Sequence, residues 1–488
     1  MNREELLLTK LMEYEKSDFY PMHMPGHKRN VKHSVLKDFP NPFSIDITEI
    51  EGFDNLHHPE EILKNSMEWA ASVYGADQSY YLINGSSCGI LSAISASVKN
   101  GGKILISRNC HKSVYHGIIL KQLNVNYVYP QIIDSLGIQG GILAQDVETE
   151  LNKNPETEAV LIVSPTYDGV VSDIRAIAEV VHTHGIPLIV DEAHGAHFPF
   201  GGEDFPVSAL DCGADIVIQS LHKTLPSLTQ TAIMHVKKGL VNMEKLERYL
   251  QMYQSSSPSY VFMASMEKCV FEMEQHGREN LAEFKARLDQ LRTRLRGLAC
   301  LQILGDERGK NGVFDQDPAK IVISCNGCLI ADGSEPINGG LLADILRNQY
   351  HIELEMSGAD YATAIVSCFD TEDGLNRLQK AILEIDKGLV KEKTEANHTM
   401  FSWNLPDVRM KMADAMEADF ETLAMQLCAQ RISGEFIYLY PPGIPIVAPG
   451  EAVTEEILKK VMEYKRMGLP VQGMADKKAE SLHVIIEE

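Results

Sequence analysis

A lysine and an aspartate each stand at the end of an apolar run that has the character of a buried strand. Lys223 follows the run 215–219, and Asp191 follows the run 186–190. The carboxyl ends of parallel strands meet at one edge of a sheet, so we expect the two side chains to lie close together. A lysine that loses its charge through burial becomes a nucleophile, and a buried carboxylate requires a cationic partner. Taken alone, each residue also suits a solvated loop.

A glycine and two serines occupy the turn between a third apolar run and a predicted helix. Gly85, Ser86 and Ser87 lie between the run 80–83 and a helical pattern over 88–98. The free N–H groups at a helix N-terminus bind phosphate, although serine is also a common helix cap. A reactive lysine, a buried carboxylate and a phosphate site together match pyridoxal 5'-phosphate (PLP), which offers an aldehyde, a cationic ring nitrogen and a phosphate.

The strands that must position these residues alternate with helical segments. From about 79 to 236 they are continuously apolar, which is typical of strands buried on both faces of a mostly parallel sheet. A charged helix over 280–298 leads to a smaller domain, and the chain turns polar after 390. We predict an N-terminal segment (1–45), an α/β large domain that binds the cofactor (46–300), a small α+β domain (301–390) and a C-terminal α/β domain (391–488).

The composition is that of a globular enzyme with an acidic surface. Of the 488 residues, 44% are hydrophobic and 23% are charged, and the formal net charge is −23. This charge argues against nucleic acid or an anionic membrane as a partner, and it suits a cationic substrate, although solubility explains it as well. No apolar stretch reaches bilayer length, and the first residues are acidic where a signal peptide is basic. We therefore predict a cytoplasmic protein.

Cysteine and histidine patterns leave one alternative chemistry open. The nine cysteines are scattered, which predicts reduced thiols, and the pair Cys325 and Cys328 is interpreted as part of a turn rather than a metal or redox site. Clustered acids and histidines are also metal ligands, so a metal-dependent hydrolase is a second hypothesis, but it assigns no role to Lys223 or the serine turn. The residues of that cluster are Asp191, Glu192, His194 and His197, with His182 and His184 nearby.

Short segments spread over the chain form a joint signature: Met24–Lys28, Asp54–Pro59, Asn109–Ser113, Asp191–His194, Ser220–Lys223 and Tyr440–Gly443. With them the chain resembles the Orn/Lys/Arg decarboxylases, which are PLP enzymes of the aspartate aminotransferase fold. The resemblance implies a large PLP-dependent transferase-like domain, a small domain and a C-terminal domain. It also implies a homodimer across which the N-terminal region packs. Because no receiver-like wing precedes the PLP region, we expect a dimer or small oligomer rather than a decamer.

The resemblance also implies roles for individual residues. Lys223, His222 and Asp191 are the predicted catalytic residues: Lys223 bonds to the cofactor, Asp191 pairs with the ring nitrogen, and Lys223 or His222 returns a proton to Cα. His111 is expected to stack on the ring. The serines and His222 are expected to hold the phosphate. The predicted cofactor-binding set is Gly85, Ser86, Ser87, His111, Asp191, His194, Ser220, His222 and Lys223, with no metal ligand.

The predicted reaction is decarboxylation of a basic L-amino acid. Our first choice is L-arginine, giving agmatine and CO₂ in polyamine biosynthesis, because short family members resemble biosynthetic arginine decarboxylases; lysine and ornithine remain alternatives. The stretch 361–368 lacks the arginine with which aminotransferases of this fold clamp the carboxylate, which is consistent with decarboxylation. Arg347 and Arg377 flank that stretch, so an aminotransferase or lyase remains open. Glu451, near the proline-rich loop, is a candidate acid for the substrate's cationic end.

Overall fold

A computed structural model describes residues 7–30, 33, 37–133, 136, 138–331, 335–391, 406–439 and 444–487. The helices are α1 (Leu7–Glu15), α2 (Ile62–Tyr74), α3 (Gly85–Ser97), α4 (Lys112–Leu120), α5 (Ala144–Lys153), α6 (Ile174–Thr183), α7 (Leu221–Thr224), α8 (Met243–Tyr253), α9 (Tyr260–Arg294), α10 (Gly339–Tyr350), α11 (Glu372–Lys387), α12 (Met412–Glu417) and α13 (Glu455–Arg466). The family segment Tyr440–Gly443 and most of the predicted linker after 391 lie outside the described residues.

The strands follow in the same numbering. They are β1 (Tyr20–Met22), β2 (Gln78–Leu82), β3 (Lys103–Ser107), β4 (Asn124–Val128), β5 (Ile132–Ile133), β6 (Ile138–Gln139), β7 (Thr157–Val163), β8 (Val170–Val171), β9 (Leu188–Asp191), β10 (Ile216–Gln219), β11 (Ala232–Val236), β12 (Gln302–Ile303), β13 (Asp315–Gln316), β14 (Lys320–Ser324), β15 (Cys328–Ile330), β16 (Ile352–Leu354), β17 (Met356–Ser357), β18 (Tyr361–Ile365), β19 (Leu389–Lys391), β20 (Phe420–Ala424), β21 (Ile437–Leu439), β22 (Ile444–Val447), β23 (Val471–Gln472) and β24 (Ser481–Ile485).

A seven-stranded sheet forms the centre of the large domain, in the order β2-β11-β10-β9-β7-β3-β4. The strands from β10 to β4 are parallel to one another, whereas β11 is antiparallel to both of its neighbours. Helices α3, α4 and α8 cover one face, and α5 and α6 cover the other. Every residue of β9, β10 and β11 is buried, as expected for strands covered on both sides. The predicted mostly parallel α/β sheet is confirmed.

Two helices differ in extent from the sequence prediction. Helix α3 begins at Gly85 rather than at 88, so the glycine and serines form its first turn instead of preceding it. Helix α9 has 35 residues, because Ser259 caps it by accepting a hydrogen bond from Phe262 N–H and an apolar face continues from the large domain onward. One continuous helix therefore connects the large and small domains.

The small domain contains a four-stranded antiparallel sheet, in the order β12-β14-β18-β17, against which α10 and α11 pack. Strand β1 pairs in parallel with β16, so the N-terminal segment is attached to the small domain. The C-terminal strands and α13 enclose a separate apolar cluster. Ala448 and Met412, however, are buried with side chains of the large-domain sheet and its helices. Among the described residues, no helix is long and apolar enough to cross a membrane.

Candidate active site

A cavity of about 690 Å³ opens at the carboxyl ends of the parallel strands. Strands β9 and β10 end at Asp191 and Gln219 there, and α3 and α7 begin there. The small domain contributes Glu355 and Tyr361, and the C-terminal domain contributes residues of α13. Every predicted site residue lines this cavity: Gly85, Ser86, Ser87, His111, Asp191, His194, Ser220, His222 and Lys223.

Hydroxyl groups and free N–H groups converge at one end of the cavity. Ser86, in the first turn of α3, contacts the hydroxyl of Ser220, which precedes α7. Gly85 has a positive φ of 74°, and a Cβ there would lie 3.3 Å from the carbonyl oxygen of Gln230. A side chain at position 85 would therefore be strained and crowded. The helix N-terminus and these hydroxyls form a donor-rich site for an anion such as phosphate.

Lys223 and Asp191 lie deep in the cavity. The Lys223 Nζ is 2.9 Å from His194 Nε2, and burial lowers the pKa of the lysine, opposed by the charge of Asp191. The Asp191 carboxylate accepts a hydrogen bond of 3.1 Å from Ala193 N–H, and burial raises its pKa. A lowered pKa increases the fraction of the lysine that is present as the neutral amine, and the buried carboxylate is suited to pair with a cation.

His111 is held as a neutral ring. It precedes α4, where its Nδ1 accepts a hydrogen bond of 3.2 Å from Ser113 N–H. Since that N–H can only donate, the ring proton resides on Nε2. Burial, with a contribution from Lys223, lowers the pKa of His111 to about 3. The imidazole is therefore uncharged at neutral pH, as suits a flat ring that stacks on a cofactor.

His222 is also neutral, with the opposite tautomer. Its Nδ1 lies 2.9 Å from the carbonyl oxygen of Thr231, which can only accept, so the proton is on Nδ1. Burial lowers the pKa of this imidazole to about 4. In this tautomer Nε2 has no proton to give. The arrangement therefore does not favour the predicted proton delivery by His222 and leaves Lys223 as the better candidate.

The cavity matches PLP in size and in chemistry. Its volume lies in the range of cofactor sites, roughly 300–1,000 Å³. Within the described part of the chain, two buried polar atoms at the cavity, His194 Nδ1 and Asn109 Oδ1, have no hydrogen-bond partner. Buried polar atoms are nearly always paired, so such atoms at a cavity are expected to meet a ligand. Together with the anion site, the lysine and the carboxylate, they fit a phosphate-bearing aldehyde with a cationic ring.

Four acids that line the cavity were missed by the sequence analysis, and two of them, Glu355 and Asp168, make contacts with the N-terminal segment or the small domain. Glu355, just after β16, accepts a hydrogen bond of 2.8 Å from Met24 N–H and contacts the Tyr167 hydroxyl. Asp168 is held by the hydroxyls of Tyr361 (3.4 Å) and Thr363 (3.3 Å), and burial raises its pKa to about 6. Asp168 follows strand β7. The argument that residues after parallel strands lie together at the carboxyl edge of the sheet, which identified Asp191, therefore applied to Asp168 as well. No comparable signal marks Glu355.

Glu451 is placed differently from our expectation. Its carboxylate is 1% exposed and pairs with Arg108, whose side chain is equally buried, at 2.9 Å. A carboxylate occupied in this way is not available to a substrate. The flanking arginines are also committed elsewhere, because Arg347 pairs with Glu353 at 2.9 Å and Arg377 with Asp18 at 3.0 Å.

The ligands of the alternative metal site are divided among separate places. Asp191 and His194 face the cavity, but His197 bonds Asp317 at 3.2 Å, and His182, on α6, bonds Asp215 at 2.9 Å. Among the described residues, no group of three or more His, Cys, Asp or Glu side chains is arranged to hold a metal ion. The geometry therefore gives the hydrolase hypothesis no support.

Comparison with known proteins identifies the family. Residues 6–308 match the model of the Orn/Lys/Arg decarboxylase major domain, and residues 394–469 match the C-terminal domain of that family. The chain is 34% identical to an arginine decarboxylase of Halalkalibacterium halodurans, covering 100% of this chain and 99% of the relative. It is 32% identical to an arginine decarboxylase of Bacillus subtilis, covering 99% and 98%.

Solved structures agree on the fold. A lysine decarboxylase of Francisella novicida superimposes with a TM-score of 0.76 at 22% identity, covering 98% of this chain and 80% of that one. A serine palmitoyltransferase of Sphingomonas wittichii has a TM-score of 0.54 at 15% identity, covering 74% of this chain and 84% of that one. The predicted transferase-like α/β fold is confirmed. With both family models matched in order along the chain, this protein belongs to the Orn/Lys/Arg decarboxylase family.

Proposed function

We propose that this protein is a PLP-dependent decarboxylase that converts L-arginine to agmatine and CO₂, a reaction of polyamine biosynthesis. The observation that carries the proposal is the meeting of Lys223, Asp191 and the serine-lined start of α3 around one cavity. Arginine is preferred because relatives named arginine decarboxylases are 32–34% identical over nearly the whole chain, whereas a lysine decarboxylase of Escherichia coli is 25% identical.

Bound PLP supplies an aldehyde that bonds to an amine and a cationic ring that withdraws the electron pair left behind when CO₂ departs. In this chain, Asp191 would keep the ring nitrogen protonated, and the first turn of α3 with Ser86 and Ser220 would bind the phosphate. The neutral imidazole of His111 would cover one face of the ring. These side chains would fix the position and orientation of the cofactor in the cavity.

Lys223 carries the proton transfers in this proposal. Once the substrate amine has displaced Lys223 from the cofactor, the freed lysine nitrogen would hold the proton that the substrate ammonium group gives up, and it would deliver a proton to Cα after CO₂ has left. Burial lowers its pKa, and His194 Nε2 lies 2.9 Å from its Nζ, where a neutral ring orients the amine. His222 would orient the lysine turn, through its hydrogen bond to Thr231 O, rather than donate the proton.

The arginine content of the cavity favours decarboxylation over transamination. Arg108 is the arginine that lines the cavity in the described part of the chain, and its guanidinium is bonded to Glu451. Among the described residues that line the cavity, no guanidinium is therefore free to hold a substrate carboxylate in the ring plane. A carboxylate left without such a partner in a poorly solvated cavity is the one that departs most readily. Glu355 and Asp168 supply the negative charge that a cationic substrate end requires.

We further propose a cytoplasmic homodimer. The nine cysteines are all unpaired, as is usual in a reducing compartment. Helix α1 has no buried residue, and it exposes Leu7, Leu8, Leu11 and Met12. An amphipathic helix of this kind requires an apolar partner, and a second copy of the chain would supply it.

The test is CO₂ release by the purified, PLP-loaded protein on arginine, lysine and ornithine, with the amine product identified by mass. We expect agmatine from arginine and much slower release from the other two amino acids. Faster CO₂ release from lysine or ornithine would support decarboxylation but would replace arginine as the proposed substrate. A keto acid in place of CO₂ would instead establish an aminotransferase and overturn the proposal.

A further inference from the structure

A buried ion pair joins Glu451 of the C-terminal domain to Arg108 of the cavity wall. Glu451 lies in the turn after Pro449, and its Oε2 accepts hydrogen bonds from Arg108 Nη2 at 2.9 Å and from Ala448 N–H at 2.8 Å. Arg108 is one of the cavity-lining residues of the large domain. Both side chains are 1% exposed, so the pair is shielded from water and from salt.

The same guanidinium is bonded on several sides. Its Nη1 donates to the Tyr115 hydroxyl at 3.2 Å, its Nη2 lies 3.3 Å from the Ile446 carbonyl oxygen, and the group sits 4.7 Å from the centre of the Tyr127 ring. The Tyr115 hydroxyl in turn donates to the Arg108 carbonyl oxygen at 2.8 Å. An arginine fixed by its fork of donors has a single orientation, which a lysine could not reproduce.

These contacts bracket His111 along the chain. Arg108 stands three residues before it, at the end of β3, and Tyr115 stands four residues after it, in the first turns of α4. Arg108 N–H is bonded to the Val128 carbonyl oxygen at 2.9 Å, so the start of the loop is also tied to β4. His111 is thus presented to the cavity by a segment that carries, at one end, the guanidinium that Glu451 holds and is hydrogen-bonded to that guanidinium at the other end through Tyr115.

We propose that Glu451 and Arg108 are positioning residues, through which the C-terminal domain sets the location of the His111 ring. The inference rests on the proposed function, in which His111 covers the cofactor ring. Glu451 thereby becomes a working part of the active site although it does not line the cavity. This role replaces the substrate contact that the sequence suggested for Glu451.

The test uses the variant Glu451→Gln. Four quantities are measured: the PLP dissociation constant, the visible absorption band of the bound cofactor, kcat and KM. We expect weaker PLP binding, a shifted band and a loss in kcat on the order of 100-fold, because a small displacement of a positioned group has an effect of that size. KM should change little. If Glu451→Gln does not fold, Arg108→Lys, which keeps the buried charge but not the fork of donors, is measured in its place.

The matched control is Glu421→Gln, which removes a carboxylate of the same domain that pairs with Arg431 at the surface, and it should behave as wild type. Wild-type cofactor affinity, band and kcat in Glu451→Gln, whatever its melting temperature, would overturn the positioning role. A wild-type protein with neither a cofactor band nor CO₂ release would instead overturn the proposed function and remove the basis of this inference.

Discussion

Glu355 is a residue through which we propose that the cavity selects a cationic substrate. It faces the cavity between Met24 N–H and the Tyr167 hydroxyl, and its charge raises the pKa of Lys223 against the effect of burial. Glu353, two residues earlier on β16, instead pairs with Arg347 outside the cavity. The two glutamates therefore form a natural pair of test and control positions.

Glu355→Gln is expected to raise KM for arginine about tenfold, the value of one hydrogen bond to a charged group. The kcat should change as well, because the charge of Glu355 also raises the pKa of Lys223, which carries the proton transfers. Steady-state kinetics on arginine provide the measurement, with Glu353→Gln expected to keep the wild-type KM. An equal rise of KM in both variants would show that general charge, rather than Glu355, attracts the substrate.

His235, on β11, makes stability depend on pH. It is buried against Tyr74 and bonded to the Ser79 hydroxyl at 2.7 Å, and burial lowers its pKa to about 3. The unfolded imidazole titrates near 6.5, so from 6.5 down to 3 the unfolded state binds a proton that the folded state does not. This residue's contribution is complete above about pH 6.5 and declines as the pH falls, by about 2 kcal/mol at pH 5.

His235→Phe should remove this dependence while keeping the ring contact with Tyr74. At pH 8 the variant should unfold at a lower temperature than wild type, because the Ser79 hydroxyl loses its partner. At pH 5 the difference should shrink or reverse. Thermal unfolding at the two pH values measures the difference in unfolding temperature between the variant and wild type. Ser79→Ala is the control, because it retains the imidazole and its titration. If the unfolding temperature of His235→Phe lay below that of wild type by the same amount at both pH values, His235 would not be the source of the pH dependence.

At the scale of elements, the N-terminal segment braces the turn that carries Lys223. Gly26 N–H donates to the His222 carbonyl oxygen at 2.8 Å, and the Ser367 hydroxyl donates to the Gly26 carbonyl oxygen at 2.6 Å. A Cβ at position 26 would lie 2.5 Å from the Thr224 carbonyl carbon. The backbone of α7 is thus packed directly against this glycine.

Gly26→Ala should displace α7, weaken PLP binding and destabilise the protein by about 1–3 kcal/mol, as overpacking does. The control is Gly297→Ala, because no atom lies within 4 Å of a Cβ built there. PLP titration and thermal unfolding of both variants provide the comparison. Unchanged PLP affinity in Gly26→Ala would show that the N-terminal segment does not set the position of Lys223.

The elements explain which site residues sequence reasoning could find. Asp191 and Lys223 follow continuous apolar runs, so the parallel-strand rule alone predicted that they meet. Glu355 reaches the cavity only because the small domain folds back over the large one, and no local pattern records that contact. The helix boundary at Gly85 was missed for a similar reason, since a Gly-Ser-Ser segment suits a turn and a first helical turn equally.

At the scale of the whole molecule, separate regions of the chain contribute to one cavity. Its residues come from the large-domain sheet, from Glu355 of the small domain and from α13 of the C-terminal domain. The division of the chain into four parts stays a prediction from composition and resemblance. The Arg108–Glu451 contact could not be predicted, because two buried charges far apart in sequence carry no signal of their pairing.

The proposed dimer is tested on the exposed face of α1. Leu8 and Leu11 are 66% and 55% exposed in the single chain, so changing both to glutamate should not disturb the fold. If a second copy covers them, the double variant should sediment with a lower mass, because two charges would be buried at the interface. Leu427→Glu, at a position that is 64% exposed in the C-terminal domain, is the control. An unchanged mass in the double variant would place the interface elsewhere.

The most direct test is a pair of measurements on Lys223→Ala: the absorption band of PLP bonded to the protein, recorded after unbound PLP has been removed, and CO₂ release from arginine. We expect wild type to show both and the variant to lose both, although the variant should still fold and bind PLP weakly through the serines of the phosphate site. Turnover by Lys223→Ala close to that of wild type would contradict the proposed mechanism, because an amine other than that of Lys223 would then have to bond to the cofactor.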